Sequence, residues 1–286
     1  MKTVISASRR TDIPAFYLDW LVSKIKDGSV EVENTFYRGN FRFVDLTPAA
    51  VEWIVFWSRN YGPFLSHHDF FAPYRLFFHF TIVTHDSRLE KSGPSQQTVI
   101  KQLERLVKIY GSEVIIWRYD PLFFWQNRSV VETNFNKSNL DYLARLISGL
   151  GVRRCYFSFA TLYQKFLHRL KTKYPEWQTN GEIISLEKIR ALGILKEITA
   201  KYNIQLFSCC NDLILDDQII KGHCISGPLL NKLRGKKTVS NASHASRQDC
   251  GCTKSVDIGD YLKHPCHYGC IYCYANPVWK TKHQDI

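Results

Sequence analysis

Short runs of β-branched and aromatic residues alternate along the chain with segments whose apolar residues recur every three or four positions. Such runs are typical of β-strands, because their side chains pack well on a pleated surface. Seven strands are predicted: residues 4–8, 30–36, 53–57, 77–83, 114–119, 155–159 and 204–208. The other spacing is typical of one face of a helix. Three helical stripes are predicted: Val99, Leu103, Leu106 and Tyr110; Leu140, Leu143 and Ile147; Leu186, Ile189 and Leu192.

This alternation of strands and helices predicts an α/β fold with a parallel sheet and helical crossovers. Several of the predicted strands are apolar almost throughout, as expected when helices cover both faces of a sheet. Seven strand–helix units are too many for a small flavodoxin-like sheet. They favour a full or partial parallel barrel of the TIM type, although hydrophobic patterning does not by itself separate a barrel from an open doubly wound sheet.

Polar side chains cluster where the predicted strands end. They are Ser8, Arg9, Arg10 and Asp12 after the first strand, Ser58, Arg59 and Asn60 after the third, and Arg118 and Asp120 at the end of the fifth. In a parallel barrel these positions share the rim where catalytic groups gather. Asp12 and Asp120 each stand just before a proline segment, so both also resemble helix caps. We predict a pocket at this rim, with Arg9, Arg10, Arg118 and Asp120 as candidates for contacts with a cofactor or substrate.

The character of the chain changes after about residue 212. Long periodic runs become rare, and six of the nine cysteines lie between Cys224 and Cys273. We therefore predict an α/β barrel domain over residues 1–212 and a cysteine-rich extension over residues 213–286. Metal ligands, rather than a core of its own, are expected to organise that extension.

The bulk composition narrows the classes of function. The formal net charge of +12 over 286 residues favours anionic partners, such as nucleic acid, phosphorylated metabolites or an acidic protein, although it also serves solubility alone. The first ten residues are too polar for a signal peptide, and no apolar run is long enough to span a membrane. These features predict a cytoplasmic protein with no membrane partner, in which nine reduced cysteines indicate metal binding or chemistry rather than disulfides.

The sharpest motif is the C-x3-C-x2-C triplet formed by Cys266, Cys270 and Cys273. Thiolates are soft ligands that suit iron–sulfur clusters and zinc. A four-iron cluster is ordinarily held by four cysteines, so three would leave one iron open to a second molecule. The alternative is a zinc site in which His264 or His267 supplies the fourth ligand.

The segment CHYGCIYCYA resembles the cluster motif of radical S-adenosylmethionine (SAM) enzymes, in the branch related to spore photoproduct lyase. The resemblance implies that Cys266, Cys270 and Cys273 hold three irons of a 4Fe–4S cluster and that SAM chelates the fourth. One electron, from a donor such as a flavodoxin or ferredoxin, would then cleave SAM to a 5′-deoxyadenosyl radical. Tyr272 is expected near the adenine of SAM.

The whole chain is also similar to one bacterial family, domain of unknown function eighteen-forty-eight. The similar stretches are SASRRTDIPAFY, IVFWSRN, VIIWRYDPL, CGCTKSVDIGDY and the triplet itself. Two features depart from the usual radical enzyme. The triplet normally follows the first barrel strand, whereas here it precedes only residues 274–286, and the chain has no Gly-Gly-Glu-like segment after an early strand. The residues that grip the methionine end of SAM are therefore not carried over.

A second set of cysteines lies upstream of the triplet. Cys210, Cys224, Cys250 and Cys252 are predicted to form a four-thiolate site for a second iron–sulfur cluster or for zinc. Cys210 is preferred to Cys209 because strand alternation would turn only one of the two toward the site. The alternative is a group of reduced buried thiols. Cys155, inside a predicted strand, is expected in the core.

Three functions follow from these features. The leading hypothesis is a radical SAM enzyme acting on an anionic substrate, with nucleic acid as one candidate. The alternative from another class is a non-catalytic basic zinc or iron–sulfur protein that binds nucleic acid. A third hypothesis is a hydrolytic or isomerising barrel in which a cluster serves only as a staple.

Overall fold

The structure is a computed structural model that describes residues 1–33, 39–244, 248–275 and 277. Its strands are β1 Thr3–Ala7, β2 Ser29–Glu33, β3 Phe41–Asp45, β4 Val51–Ser58, β5 Leu76–Thr81, β6 Ile115–Leu122, β7 Phe124–Asn127, β8 Val130–Thr133, β9 Arg154–Phe159, β10 Trp177–Gln178, β11 Gln205–Ser208, β12 Ile219–Lys221 and β13 Val256–Asp257. Its α-helices are α1 Ile13–Phe16, α2 Leu18–Lys26, α3 Gly62–Ser66, α4 Gln96–Tyr110, α5 Lys137–Gly149, α6 Gln164–Lys173, α7 Glu182–Lys201 and α8 Gly227–Arg234. None of these helices is long and apolar enough to cross a membrane.

Eight strands form one parallel sheet in the order β12-β11-β9-β6-β5-β4-β1-β13. From β1 to β12 this spatial order follows the chain without reversing, unlike a doubly wound sheet, whose order reverses at a switch point. The two outermost strands, β12 and β13, do not pair with each other, so within the described residues the sheet is open. The predicted parallel α/β fold is confirmed, and the sheet is not a closed barrel.

Six of the seven predicted strands lie in this sheet, and the second does not. β2 instead pairs antiparallel with β3, in a ribbon that matches Ser29 with Asp45 and Glu33 with Phe41. Val30 and Val32 are buried while Glu31 is exposed, which is the alternation of a strand with one solvated face. Residues 34–36 of the predicted strand lie outside the described residues. The prediction also missed a small antiparallel sheet of order β10-β7-β8 and the two edge strands.

Capping residues fix where the helices that cover the sheet begin, and packing fixes which face of each helix is buried. Ser95 caps α4 by accepting a hydrogen bond from the Thr98 backbone, and Asn136 caps α5 in the same way. The predicted stripes of α4 and α5 are confirmed, since their aliphatic residues are buried. The stripe predicted for α7 is wrong at two of its three residues, and Leu192 packs partly buried against the core. Leu186 and Ile189 are exposed, and the helix buries a different face: Ile184, Ala191, Leu195 and Ile198.

The chain beyond residue 212 contributes a strand to each edge of the main sheet, β12 and β13. It also buries Ile225, Leu230 and Val239 in one apolar cluster with sheet residues that include Trp53 and Phe77. This segment therefore packs on the sheet through apolar contacts as well as through its cysteines. The domain boundary at residue 212 stays a prediction.

Asp257 in β13 fastens this segment to β1. Its carboxylate accepts hydrogen bonds from Ser6 Oγ at 2.6 Å, Ser8 Oγ at 2.5 Å and the Arg9 backbone N–H at 2.9 Å. It also accepts from the Gly259 N–H at 3.1 Å and lies 3.5 Å from Arg9 Nε. Two sequence stretches about 250 residues apart thus share one buried carboxylate.

Replacing Asp257 with asparagine is expected to lower the free energy of unfolding by roughly 2 kcal/mol, because the buried donors lose a charged acceptor. Urea denaturation measures the loss. Asp27→Asn is the matched control, since Asp27 forms an exposed ion pair with Lys24 and its change should cost less than about 1 kcal/mol. Equal losses in the two variants would contradict this account.

Candidate functional site

The cysteine triplet lies on a loop that is held against the segment after β5. The Ile271 N–H donates to the Leu89 carbonyl at 2.8 Å, and the backbone N–H groups of Lys91 and Ser92 approach the Tyr268 carbonyl at 3.2 and 3.3 Å. Gly269 has a φ of +64°, and a Cβ there would come within 2.9 Å of the Lys91 side chain. The glycine between the first two cysteines therefore allows both the left-handed turn and the close approach.

All three cysteines border one cavity of about 260 Å³ at the carboxyl ends of the parallel strands. The polar side chains around that cavity include Arg9, Arg10, Asp12, Arg59, Arg118, Asp120 and Tyr272. The structure thus brings the triplet together with every residue that was predicted to contact a cofactor. This is the edge of a parallel sheet at which ligands ordinarily bind.

A buried ion pair stands directly behind the triplet. Arg59 pairs with Glu90 through two contacts, Nη2 to Oε2 at 2.6 Å and Nη1 to Oε1 at 2.5 Å. Arg59 Nη1 also lies 3.6 Å from Cys270 Sγ and 3.1 Å from the Tyr272 hydroxyl, which in turn donates to Glu90. Burial by itself would raise the pKa of Glu90, but the charge of Arg59 and hydrogen bonds from His85, Arg59 and Tyr272 lower it to about 2.

Asp12 links the start of α1 to the strand-end loop of β4. Its Oδ1 accepts from the Ala15 N–H at 3.0 Å, so the cap predicted for this residue is confirmed, and its Oδ2 accepts from the Arg59 N–H at 2.8 Å. Burial raises the pKa of Asp12 to about 6. Asp120, by contrast, lies inside β6 and caps no helix, which corrects the second cap suggested by the sequence.

The predicted cationic residues already have partners within the protein. Arg118 forms an ion pair with Asp120, and its Nη1 lies 3.2 Å from Cys224 Sγ. Arg9 pairs with Asp257, and Arg10 donates to the Gly259 carbonyl at 2.7 Å. These contacts fix where the guanidinium groups point, so their charge at the cavity is preorganised.

The second set of cysteines gathers on the other side of the same rim. Cys209, Cys210, Cys224, Cys250 and Cys252 all border a second cavity of about 1040 Å³. Cys224, Arg9 and Arg10 border both cavities. The preference for Cys210 over Cys209 relied on strand alternation, which does not apply because β11 ends at Ser208 and Cys210 has a φ of +56°. Cys155 is fully buried in β9, and its predicted place in the core is confirmed.

No three or more His, Cys, Asp or Glu side chains of the described residues converge closely enough to hold a metal ion. The two histidines proposed as zinc ligands have other contacts. The His264 ring packs 4.2 Å from that of Trp20, and its Nδ1 accepts from the Asp260 N–H at 3.1 Å. The His267 Nε2 lies 3.3 Å from the Tyr17 hydroxyl. These contacts give no support to a Cys3His zinc site at the triplet.

The residues around the triplet fit the charge of an iron–sulfur cluster. Arg59 is close to Cys270, and Arg169 donates to the carbonyls of Ile271 and Cys273, so two guanidinium groups flank the loop. Burial raises the pKa of Cys266 to about 12 and that of Cys270 still further. Metal binding requires thiolates, so a bound metal would have to supply the charge that removes these protons.

Comparison with protein families matches residues 4–275 to the family described as Domain of unknown function (DUF1848). The chain belongs to this family. The match confirms the family that the sequence stretches indicated. No curated protein and no solved structure matches the chain.

Sequence reasoning named Arg59 only as one polar residue of the rim and did not identify Glu90, Asp257 or Arg169. Asp257 lies within CGCTKSVDIGDY, one of the stretches similar to the family, so that stretch carried a usable signal. Glu90 and Arg169 had none. Their roles come from contacts with residues distant in sequence: Glu90, for example, pairs with Arg59, which lies 31 positions earlier in the chain.

Proposed function

We propose that this protein is a radical SAM enzyme that holds a 4Fe–4S cluster through Cys266, Cys270 and Cys273. The observation that carries the proposal is that the three cysteines border one cavity with the polar residues at the carboxyl ends of the parallel strands. The C-x3-C-x2-C spacing supports it further, because three thiolates leave one iron of a four-iron cluster without a protein ligand.

The cluster, when bound, would supply an open iron for SAM and the electron that cleaves its sulfonium. The chain's own residues hold and shield that chemistry. Arg59 points a donor at Cys270 and offsets negative charge at the loop. Trp57 and Phe159 line the cavity and limit the access of water to it.

Tyr272 is proposed to bind the adenine of SAM. Tyr272 borders the cavity, and its hydroxyl is hydrogen-bonded with Glu90 and Arg59. A ring anchored in this way presents a fixed flat surface to a planar base, and stacking on an aromatic face is favourable for any base. The arginines Arg9 and Arg10 are the candidates for the anionic end of the cofactor or of a substrate.

We further propose that the sheet is a partial barrel related to the TIM type. The order of its strands runs in one direction, as in a barrel, and the cavity lies at the carboxyl ends of the strands. The triplet loop follows β13, which lies next to β1, so the cluster reaches this rim from the opposite end of the chain.

The substrate is proposed to be anionic, with nucleic acid as one candidate. The net charge of +12 attracts polyanions, and Arg9, Arg10, Arg42 and Lys165 border the larger cavity. A flavodoxin or ferredoxin of the cytoplasm is the proposed electron donor.

Metal and sulfide analysis of the anaerobically purified chain tests this function, followed by incubation with SAM and dithionite. Iron and sulfide in cluster proportions, a visible band that bleaches on reduction, and formation of 5′-deoxyadenosine would support it. A colourless protein that contains zinc alone and resists reconstitution with iron and sulfide would overturn it. That result would favour the non-catalytic nucleic-acid-binding protein instead.

A further inference from the structure

Five of the nine cysteines lie together away from the triplet, although they come from three separate parts of the chain. Cys209 and Cys210 follow β11, Cys224 follows β12, and Cys250 and Cys252 precede β13. Four of them are buried, Cys210 is partly buried, and all five border the cavity of about 1040 Å³. Folding has therefore gathered thiols that the sequence keeps up to 43 positions apart (209 to 252).

The five thiols form a chain of contacts, called the row here. Cys209 Sγ lies 3.4 Å from Cys224 Sγ and 3.9 Å from Cys210 Sγ. The thiol of Cys252 contacts those of Cys224 and Cys250. A single zinc ion needs its ligands around one point. The contacts of the row link each thiol to one or two neighbours, and no three such side chains of the described residues converge on a single ion.

Two arginine side chains lie near Cys224, at the middle of this row. Arg118 Nη1 lies 3.2 Å from Cys224 Sγ, and Arg9 interacts electrostatically with Cys224 and Cys252. His79 Nε2 lies 2.7 Å from the Cys224 carbonyl oxygen and holds the backbone of that loop in place. Thiolate ligands bring negative charge into a buried site, and the two guanidinium groups stabilise that charge while each also pairs with an aspartate.

We infer that this row holds a second metal centre, an iron–sulfur cluster ligated by Cys209, Cys224, Cys250 and Cys252. A cluster contains several irons and takes its thiolates at separate corners, so thiols that do not converge on one point and border a large cavity suit it better than a single ion. Four protein thiolates occupy every corner of a four-iron cluster. The centre would then transfer electrons rather than bind a substrate.

The position of the row supports that role. Cys224 borders the cavity of the triplet as well as the larger one. A cluster bonded to Cys224 would thus lie beside the proposed SAM site. The inferred centre does not depend on the triplet for any of its ligands, so it can be tested in the absence of the first cluster.

The test uses the full chain carrying C266A, C270A and C273A, purified anaerobically. We expect this variant to retain iron and acid-labile sulfide, with a visible band that dithionite bleaches. Adding C224A and C252A should remove both the iron and the band. Adding C155A instead should leave them unchanged, because Cys155 is buried in β9 and borders neither cavity. Circular dichroism of every variant, with serine replacements where alanine prevents folding, checks that the sheet is intact.

The possible results separate the two proposals. A triplet variant that is folded but free of iron, or that contains only zinc, would overturn the second cluster and leave the radical function standing. A triplet variant with the same iron content as the unmodified chain would instead support a cluster at the row and contradict a cluster at the triplet. An independent measurement needs no variant: two clusters require more than about four irons per unmodified chain, and a reconstituted value at or below four would contradict the inference.

Discussion

Replacing Cys270 with alanine is expected to reduce the formation of 5′-deoxyadenosine from SAM by more than about 100-fold. Loss of an outer-shell partner typically costs a metal site 10- to 100-fold, so loss of a ligand should cost more. Cys270 is the buried member of the triplet and the one that Arg59 approaches. The measurement is the yield of 5′-deoxyadenosine under anaerobic conditions with dithionite as the reductant.

Cys155→Ala is the matched control, since it removes the same atom from another buried cysteine that borders neither cavity. It should keep the activity of the unmodified chain. The free energy of unfolding of the two variants should fall by a similar amount, about 1 kcal/mol. Unchanged activity in Cys270→Ala would refute the proposed role of the triplet. An equal loss of activity in both variants would point to a folding defect.

Replacing Glu90 with glutamine is expected to lower the free energy of unfolding by roughly 3 kcal/mol at pH 7. The change leaves the guanidinium of Arg59 buried beside a neutral group, and breaking a buried ion pair in this way typically costs about 3–5 kcal/mol. Glutamine keeps the shape of the side chain, so the loss reports the charge. Urea denaturation of metal-free protein measures it, with both proteins in the same state.

The same variant makes a prediction about pH. The pKa of Glu90 falls from 4.5 to about 2 on folding, so the unfolded chain binds its proton at a higher pH than the folded chain does. The contribution of Glu90 is therefore complete above about pH 4.5 and is lost as the pH falls toward 2. The difference between the unmodified chain and Glu90→Gln should shrink over that window. A difference that stays constant would contradict the pairing.

Glu187→Gln is the control for both measurements. Glu187 forms an ion pair with Arg190 one turn along α7, and both side chains are substantially exposed. Exposed pairs contribute about 0–1 kcal/mol. A loss as large as that of Glu90→Gln would mean that burial does not explain the effect.

Local pattern was enough to place most strands of the main sheet. The runs that include Trp53 and Phe77 are apolar on both faces, and such runs suit a parallel sheet covered on both sides. The same reasoning failed at residues 30–36, because alternation of buried and exposed residues indicates an antiparallel ribbon as readily as a sheet strand. It also failed in α7, which has apolar residues on two faces. The pattern indicated the face of Leu186 and Ile189, whereas Ala191 and Leu195 of another face pack against the core.

The residue pattern was enough to predict the parallel α/β class and to identify the triplet of Cys266, Cys270 and Cys273, because both depend on residues that are neighbours along the chain. The open sheet, the contact of Cys209 with Cys224 and the ion pair of Glu90 with Arg59 could be seen only in the folded protein. Each of these depends on which distant segments meet in the folded protein. The energy of a buried charge or thiol is set by those neighbours, and spacing along the chain carries no record of them.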